Sequence, residues 1–376
     1  MQENRLKKLR MVIAAEAVLC MIAFAGIICN KGLGGLKETE QTENEVESED
    51  WAQEAISNGY IKWVDFNVSY EALCKAYEWD VKTYEDPVHV DWIQILAYLG
   101  ACYGGDFSSH AKKLNKDMNK LVKKLTEDGC TMDELTKDMK YYTYYEEAYR
   151  AVLGGLVGEY EIEKTDESGN KSWGKVYGLK AYSPIAKGFE YSHYDDFGSG
   201  RSYGYKRKHL GHDMMGQVGT PIIAVESGYI EAFGWNQYGG WRIGIRSFDK
   251  KRYYYYAHMR QNYPYAEGLE EGSVVTAGDV IGYMGHTGYS TKENTNNIEV
   301  THLHWGLELI FDESQKESDN EIWVDVYPLT KFLYKHRSET AKLEGTKEWK
   351  RVNAMRDPAV EDYNSKKQNA ILPQIN

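Results

Sequence analysis

Between positions 51 and about 157, apolar residues recur at three- and four-residue spacings, the pattern that places them on one face of a helix. The spacing is clearest in VDWIQILAYLGACYG and in AKKLNKDMNKLVKKLTEDG. A further helix is predicted to begin at residues 131–133, with Glu134 in its first turn. The pattern predicts a small helical region over residues 51–160, which could bind a partner, position a site or pack on a neighbouring sheet.

The pattern changes over residues 201–335 to short segments rich in β-branched and aromatic residues, separated by Gly and Asp. These segments predict a mainly antiparallel β domain, in which WRIGIRSF and RYYYYAHM form a hairpin and residues 301–309 form a strand. A short helix entered through Pro328 is predicted near the end of this domain. The predicted fold class is therefore α+β.

Two polar segments flank the predicted β domain. Residues 161–200 include the turn-rich stretch EIEKTDESGNKSWG, which predicts a hairpin or a domain connection. Residues 336–376 form a polar C-terminal segment, and periodicity is lost from Glu344 onward. We therefore expect a loosely ordered tail.

The N-terminus carries one long apolar run. After a basic stub at residues 1–10, residues 11–29 contain a single charged residue, Glu16. Nineteen residues are long enough to cross a bilayer as a helix. Basic residues before the run and acidic residues after it predict a transmembrane anchor at residues 11–30 with the N-terminus in the cytoplasm.

A cleaved signal peptide is the competing interpretation of this run. Ala23 and Ala25 could form a small-x-small cleavage site. The apolar run continues through residues 26–29, beyond what a signal peptide needs, and this favours an uncleaved anchor. Residues 31–50 follow as an acidic linker, with seven acidic and no basic residues between positions 38 and 50. Such a composition predicts a solvated, extended spacer.

The net charge and the cysteine content limit which partners and how many disulfides are expected. The formal net charge of -12 argues against nucleic acid as a partner. The chain has five cysteines, of which Cys20 and Cys29 lie in the apolar run. The other three, Cys74, Cys102 and Cys130, form no Cys-x-x-Cys pattern, so at most one disulfide is expected.

Five residues have the side-chain types that are found in metal-dependent hydrolases. They are His209, Asp213, His258, His302 and His304. Imidazole and carboxylate groups suit Zn²⁺, and three protein ligands leave one coordination position for water. A His-x-x-x-Asp pair can reach one point from a strand or loop that bends at an intervening glycine, which is present here. A His-x-His pair on a strand points both rings to one face, because side chains alternate. The pattern predicts a catalytic zinc site.

These residues lie within a set of ordered motifs. The motifs are H-x-G-x-D at 209–213, G-T-P-I at 219–222, the glycine pair of NQYGGW at 236–241, YAHM at 256–259, AGDVIGYMGHTG at 277–288 and HLHW at 302–305. Over residues 203–309, about a third of the chain, the sequence resembles the lysostaphin/LytM-type zinc endopeptidases, which cut peptidoglycan cross-bridges or stem peptides.

This resemblance implies a role for each of the five residues. His209, Asp213 and His304 are expected to bind one zinc ion, while His258 and His302 act on the bound water and on the transition state. A neutral imidazole can take a proton as general base and return it to the leaving amine.

The resemblance also implies that a tyrosine hydroxyl stabilises the oxyanion. Tyr203, six residues before the first ligand, is the candidate, and Tyr205 is an equal alternative. His212 and His286 lie close to the motifs but match no functional position, so we expect structural or surface roles for them. Residues 289–301 are longer and more polar than the corresponding stretch of most relatives, which predicts a surface loop at the mouth of the groove.

The sequence therefore predicts a membrane-anchored zinc endopeptidase that hydrolyses peptide bonds of bacterial peptidoglycan. Its expected location is the cell membrane, crossed once, with the catalytic domain outside the cytoplasm. Peptidoglycan and the membrane are the expected partners, and an envelope protein bound by the helical region is a further possibility. A non-hydrolytic scaffold or activator in a division or sporulation assembly is the alternative function. Retention of all five residues favours catalysis.

Overall fold

The computed structural model describes residues 60–202, 206–316, 318 and 320–371. The predicted stub, anchor and acidic linker lie outside these residues, as do positions 51–59 and the candidates Tyr203 and Tyr205. Among the described helices, none combines the length and apolar character that crossing a membrane requires.

Capping side chains mark the starts of three of the five helices described in the helical region. The Ser69 hydroxyl accepts a hydrogen bond from the Ala72 amide, and Thr131 and Glu134 form a reciprocal capping box, which confirms the helix predicted there. Within residues 60–160 the structure has α1 (Tyr70–Thr83), α2 (Trp92–Tyr103), α3 (Ala111–Thr126), α4 (Met132–Thr136) and α5 (Tyr142–Leu153). The predicted helical region is confirmed for these residues.

The rest of the described chain is mainly β-structure with two further helices. The predicted helix beyond Val326 is confirmed, with its proline in the first turn. In chain order the elements are β1 (Val157–Thr165), β2 (Lys171–Leu179), β3 (Ser192–Tyr194), β4 (Gly200–Ser202), β5 (Lys206–Lys208), β6 (His212–Met215), β7 (Pro221–Ile223), β8 (Gly228–Asn236), β9 (Gly240–Ser247), β10 (Arg252–Ala257), β11 (Val274–Val275), β12 (Val280–Tyr283), β13 (His302–Leu309), a 3₁₀ turn (Glu313–Gln315), β14 (Ile322–Trp323), α6 (Tyr327–Leu333), β15 (Thr340–Lys342), β16 (Trp349–Arg351), β17 (Met355–Arg356) and α7 (Pro358–Ile371).

One antiparallel sheet forms most of the β domain. Its strand order is β11-β8-β9-β10-β13-β6-β3, and β14 pairs with the outer end of β13. The predicted hairpin is confirmed, since β9 and β10 pair antiparallel. Along β13, Leu303, Trp305 and Leu307 are fully buried in the core, while the alternate residues lie on the opposite face. The expected β domain is therefore mainly antiparallel, with β13 near its centre.

The prediction of a loosely ordered tail is wrong for the described C-terminal residues. β17 pairs with β1, with Arg356 opposite Glu161, and β1 in turn pairs with β2, the hairpin predicted within residues 161–200. Asp357 is 2% exposed and accepts a hydrogen bond from Lys180 Nζ at 2.9 Å. Strands of two or three residues are too short to give a periodic pattern. Their pairing with distant strands could therefore not be predicted from the spacing of apolar residues.

A buried arginine joins the helical region to the central sheet. Arg252, at the start of β10, donates from Nη1 to the carbonyl oxygens of Ala151 at 2.9 Å and Arg150 at 3.4 Å, near the end of α5. Its Nε and Nη2 donate to the two carboxylate oxygens of Glu226 at 2.7 and 3.1 Å. The Tyr254 hydroxyl donates to the same carboxylate at 2.7 Å. The last carbonyls of α5 are thus capped by a side chain of the sheet.

Glu308 lies on the same face of β13 as His304 and should make the stability of the fold depend on pH. It is 3% exposed, its Oε1 has no hydrogen-bond partner among the described residues, and burial, with Glu321 nearby, raises its pKa to about 8. The pKa of Glu308 is therefore higher in the folded chain than in the unfolded chain. Its contribution to the stability of the fold is complete below about pH 4, where the carboxyl is protonated in both states, and is lost as the pH rises through 8. We expect Glu308→Gln to raise the melting temperature by several degrees at about pH 9 and little at about pH 5, measured by thermal unfolding.

The exposed Glu344 offers a matched control, because Glu344→Gln removes the same charge from the surface. A Glu308→Gln variant with the same shift at both pH values would contradict a raised pKa at this carboxyl.

Candidate active site

The pairing of three strands brings the predicted site residues together. His304 on β13 lies opposite Asp213 on β6 and opposite Ala257 at the end of β10. His209 precedes β6, and His258 directly follows β10. Residues more than 90 positions apart therefore meet because β13 is hydrogen-bonded on both sides.

Gly211 matters for space rather than for an unusual backbone angle. It is not among the glycines with positive φ, so the predicted bend does not require glycine for that reason. A Cβ atom at this position would lie 2.6 Å from two ring atoms of His304, closer than side-chain atoms approach. Only glycine lets this segment pass beside the His304 ring.

The three predicted ligands form a tight triangle of donor atoms. His209 Nε2 lies 3.1 Å from Asp213 Oδ1 and 3.0 Å from His304 Nδ1, and the last two atoms are 2.9 Å apart. Donors placed 2.0 to 2.1 Å from a tetrahedral zinc lie roughly 3.3 Å from one another. The spacing of these donor atoms therefore fits a zinc ion, which the three side chains would hold.

The electrostatics of the triangle suit a metal ligand set. Burial alone would raise the pKa of Asp213, but hydrogen bonds from His209 and His304 outweigh it and hold that pKa far below the usual range. Burial lowers the pKa of His304, which keeps its ring neutral. An anionic carboxylate and neutral imidazoles are the forms that bind zinc.

His258 and His302 lie beside the triangle without belonging to it. Their ring centroids are 4.8 Å apart, and the His258 ring is 5.9 Å from that of His304. Nδ1 of His258 donates to the Thr287 carbonyl at 3.0 Å, and Nδ1 of His302 donates to the Val300 carbonyl at 2.8 Å. Since a carbonyl only accepts, the neutral form of each ring carries its proton on Nδ1 and leaves Nε2 available as a base.

Further contacts hold these two histidines in place. Burial, followed by the neighbouring His302 and His304, lowers the pKa of His258 well below its usual value. His258 has a φ of 63°, an uncommon angle for a residue with a side chain, and its amide donates to the Gly239 carbonyl at 2.8 Å. Nε2 of His302 lies 3.8 Å from Asp213 Oδ1, directly beside the ligand triangle.

Two charged residues support the ligands and were not found by sequence reasoning. Asp196 Oδ1 lies 2.7 Å from His209 Nδ1, and Arg201 donates to Asp213 Oδ2 at 2.7 Å and to Asp196 Oδ2 at 2.8 Å. Both precede the H-x-G-x-D motif and lie in a polar stretch, where charged residues are usually solvated. Neither spacing nor residue type indicated their role. Together they orient the His209 ring and occupy the carboxylate oxygen of Asp213 that faces away from the triangle.

Asp196→Ala is expected to weaken zinc binding by about 10- to 100-fold, because an outer partner fixes the tautomer and orientation of its histidine ligand. Competition with a chromogenic chelator at neutral pH would measure the change. Asp195, the exposed neighbour, provides the control Asp195→Ala. Equal zinc affinities for the two variants would show that Asp196 does not support His209.

The remaining histidines near the motifs make structural contacts. His212 is 2% exposed, and its Nε2 lies 2.8 Å from Nδ1 of His193. His286 Nδ1 donates to the Ile298 carbonyl at 2.8 Å. These contacts agree with the structural roles predicted for His212 and His286.

An open cavity of about 470 Å³ adjoins the ligand triangle. Its lining includes Tyr194, Asp213, Glu299, Val300 and His302. Residues 289–301 form no strand or helix, which confirms the predicted surface loop, and part of that loop is a wall of the cavity. An extended peptide could lie in this groove against the ligand triangle.

Comparisons with known proteins show which sequences and structures this chain resembles. The model of peptidase family M23 matches residues 207–320. The L-Ala–D-Glu endopeptidase of Bacillus subtilis is 36% identical over 124 residues, which cover 33% of this chain and 36% of that protein. Lysostaphin of Staphylococcus simulans is 36% identical over 98 residues, 26% of this chain and 17% of lysostaphin.

A crystal structure from Ruminococcus gnavus, provisionally described as a glycyl-glycine endopeptidase, LytM, is 31% identical. The match covers 55% of this chain and 71% of that one, with a TM-score of 0.40. This chain spans only about a third or less of the length of the two curated relatives named above. The matched part contains all three atoms of the ligand triangle and both neighbouring histidines, and the chain thus carries a peptidase family M23 domain at residues 207–320.

Proposed function

We propose that this protein is a zinc-dependent endopeptidase that hydrolyses peptide bonds of bacterial peptidoglycan. The observation that carries the proposal is the triangle of His209, Asp213 and His304 donor atoms, 2.9 to 3.1 Å apart, with two more histidines beside it. A domain kept only as a scaffold has no need of all five side chains in this arrangement. The Bacillus subtilis relative is named an L-Ala–D-Glu endopeptidase, which supports the same activity.

The proposed catalytic roles follow from which imidazole nitrogen atoms are not bonded to a backbone carbonyl. Zinc, when bound, polarises the scissile carbonyl and lowers the pKa of a water molecule to roughly 7. His302, whose Nε2 is directed to the ligand triangle, takes the proton of the attacking water, because its Nδ1 is engaged with a carbonyl. The same Nε2 returns the proton to the leaving amine. His258, buried and neutral, is placed to hydrogen-bond the developing tetrahedral centre.

The proposed location is the cell membrane, with residues 11–30 as a single anchor and the M23 domain outside the cytoplasm. The support is the 19-residue apolar run with its basic N-terminal flank. Protease added to intact spheroplasts is expected to remove the domain, while the protein itself sediments with membranes. Release of the domain into the medium without protease would favour a cleaved signal peptide.

The activity is tested with the full chain in detergent and purified peptidoglycan. We expect one zinc per chain by elemental analysis and the appearance of new amino termini and soluble muropeptides. Treatment with a chelator should stop the release, and added zinc should restore it. A zinc-loaded protein that releases nothing from several wall types would contradict hydrolysis and favour a scaffold.

A further inference from the structure

Two arginines face each other across the short hairpin that precedes the first ligand. In the register of β4 and β5, Arg201 lies directly opposite Arg207. Directly opposed residues of an antiparallel pair lie on the same face, where like charges destabilise each other. Arg201 is neutralised by Asp196 and Asp213, both within 2.8 Å. Arg207 is the second positive charge on that face, two residues before His209.

Arg207 has no comparable neutralising partner among the described residues. No described carboxylate is ion-paired with it, and its Nε is buried without a hydrogen-bond partner. The guanidinium instead stacks over the ring of Tyr289, 5.0 Å from its centroid. Aromatic stacking fixes the plane of the guanidinium while leaving its N–H edge able to bind a ligand.

The stacking on Tyr289 places Arg207 near His258. The Tyr289 ring under it lies 6.0 Å from the His258 ring, with an angle of 30° between the planes. Each of these steps is shorter than two extended residues of a peptide, which span about 7 Å. A side chain or terminus within a few residues of the scissile bond could therefore reach Arg207.

We propose that Arg207 binds a carboxylate of the substrate beside the scissile bond, so that the substrate is an acidic stem peptide and not a glycine cross-bridge. A planar guanidinium matches a carboxylate through two parallel N–H···O bonds, and a partly buried charge gains most when a partner of opposite charge arrives. A cross-bridge made only of glycine offers no side-chain carboxylate. This inference rests on the proposed function and adds the substrate class.

The test uses two peptides that differ in one group. Both contain an L-Ala–D-Glu bond and continue beyond it through the D-Glu γ-carboxyl, and the D-Glu α-carboxyl is free in one and a carboxamide in the other. We expect the full chain, zinc-loaded in detergent, to prefer the free carboxylate by about 10- to 100-fold in kcat/KM, the range for a charge-assisted hydrogen bond. Arg207→Gln should remove this preference, mainly by raising KM for the carboxylate peptide, and should leave the zinc content unchanged.

Lys208→Gln is the matched control, because Lys208 is the exposed neighbour on the other face of β5 and the change in charge is the same. Lys208→Gln should keep the preference for the carboxylate. An equal rate on both peptides by the wild type, faster cleavage of pentaglycine, or a preference that survives Arg207→Gln would each overturn the proposal.

Binding separates this inference from the proposed function. Calorimetric titration of both peptides into His302→Ala measures the carboxylate preference without hydrolysis, and His302→Ala/Arg207→Gln measures its loss. Tighter binding of the carboxylate peptide that depends on Arg207 supports the inference even where the wild type cleaves nothing. Equal binding of the two peptides would overturn it, whatever the wild type hydrolyses.

Discussion

His304→Ala should lose its zinc, whereas His302→Ala should keep the zinc and lose hydrolysis, although the two histidines are only two residues apart on β13. His304 Nδ1 belongs to the ligand triangle, 2.9 Å from Asp213 Oδ1, and two remaining ligands hold zinc poorly. His302 Nε2 lies 3.8 Å from the same oxygen, outside the triangle. We expect the kcat of His302→Ala to fall by about 10²- to 10⁴-fold, the usual contribution of a general base.

Zinc content by elemental analysis and turnover on the same preparations distinguish the two variants. His286→Ala serves as the control, because that ring is bonded to the Ile298 carbonyl and not to the site. Two results would contradict the assignment: loss of zinc from His302→Ala as complete as from His304→Ala, or a His302→Ala protein with near wild-type turnover.

Arg252→Met is expected to lower the free energy of unfolding by about 3–5 kcal/mol, the effect of removing one partner from a buried ion pair. The change would leave the Glu226 carboxylate, which is 7% exposed, without its bidentate partner. It would also remove the donor to the Ala151 carbonyl at the end of α5. Urea unfolding followed by circular dichroism measures the loss, and hydrogen exchange shows whether α5 and β10 lose protection together.

Arg356→Met is the comparison, because Arg356 forms an exposed ion pair with Glu161 and such pairs contribute at most about 1 kcal/mol. The double variant Arg252→Met/Glu226→Gln should recover part of the lost stability, since no unpaired charge then remains buried. An Arg252→Met protein as stable as Arg356→Met would show that the pair does not join the helical region to the sheet.

The position of Arg252 links this stability to the active site. β10 begins at Arg252, which caps α5, and ends at Ala257, directly before His258. Among the described residues, the helical region and the sheet belong to one compact unit. Packing of the helices on the sheet thus supports the strand that presents His258, and a substitution in either region can disturb the other.

The sequence by itself determined the features that depend on residue type and on neighbours along the chain. The alternation of β13 puts His302 and His304 on one face, and imidazole and carboxylate donors at His209 and Asp213 indicate zinc, because these properties are local. The helices of the N-terminal region and the β9–β10 hairpin were predictable for the same reason.

Only the tertiary structure decided which distant residues support those features. Asp196 and Arg201 become partners of the ligands through the fold of a polar segment that includes β4, and Arg252 becomes a helix cap because α5 ends beside β10. β17 is a strand only because β1 lies next to it. The periodicity of apolar residues reflects contacts between residues that are close in sequence. These contacts join positions that are far apart in sequence, so no periodic pattern predicts them.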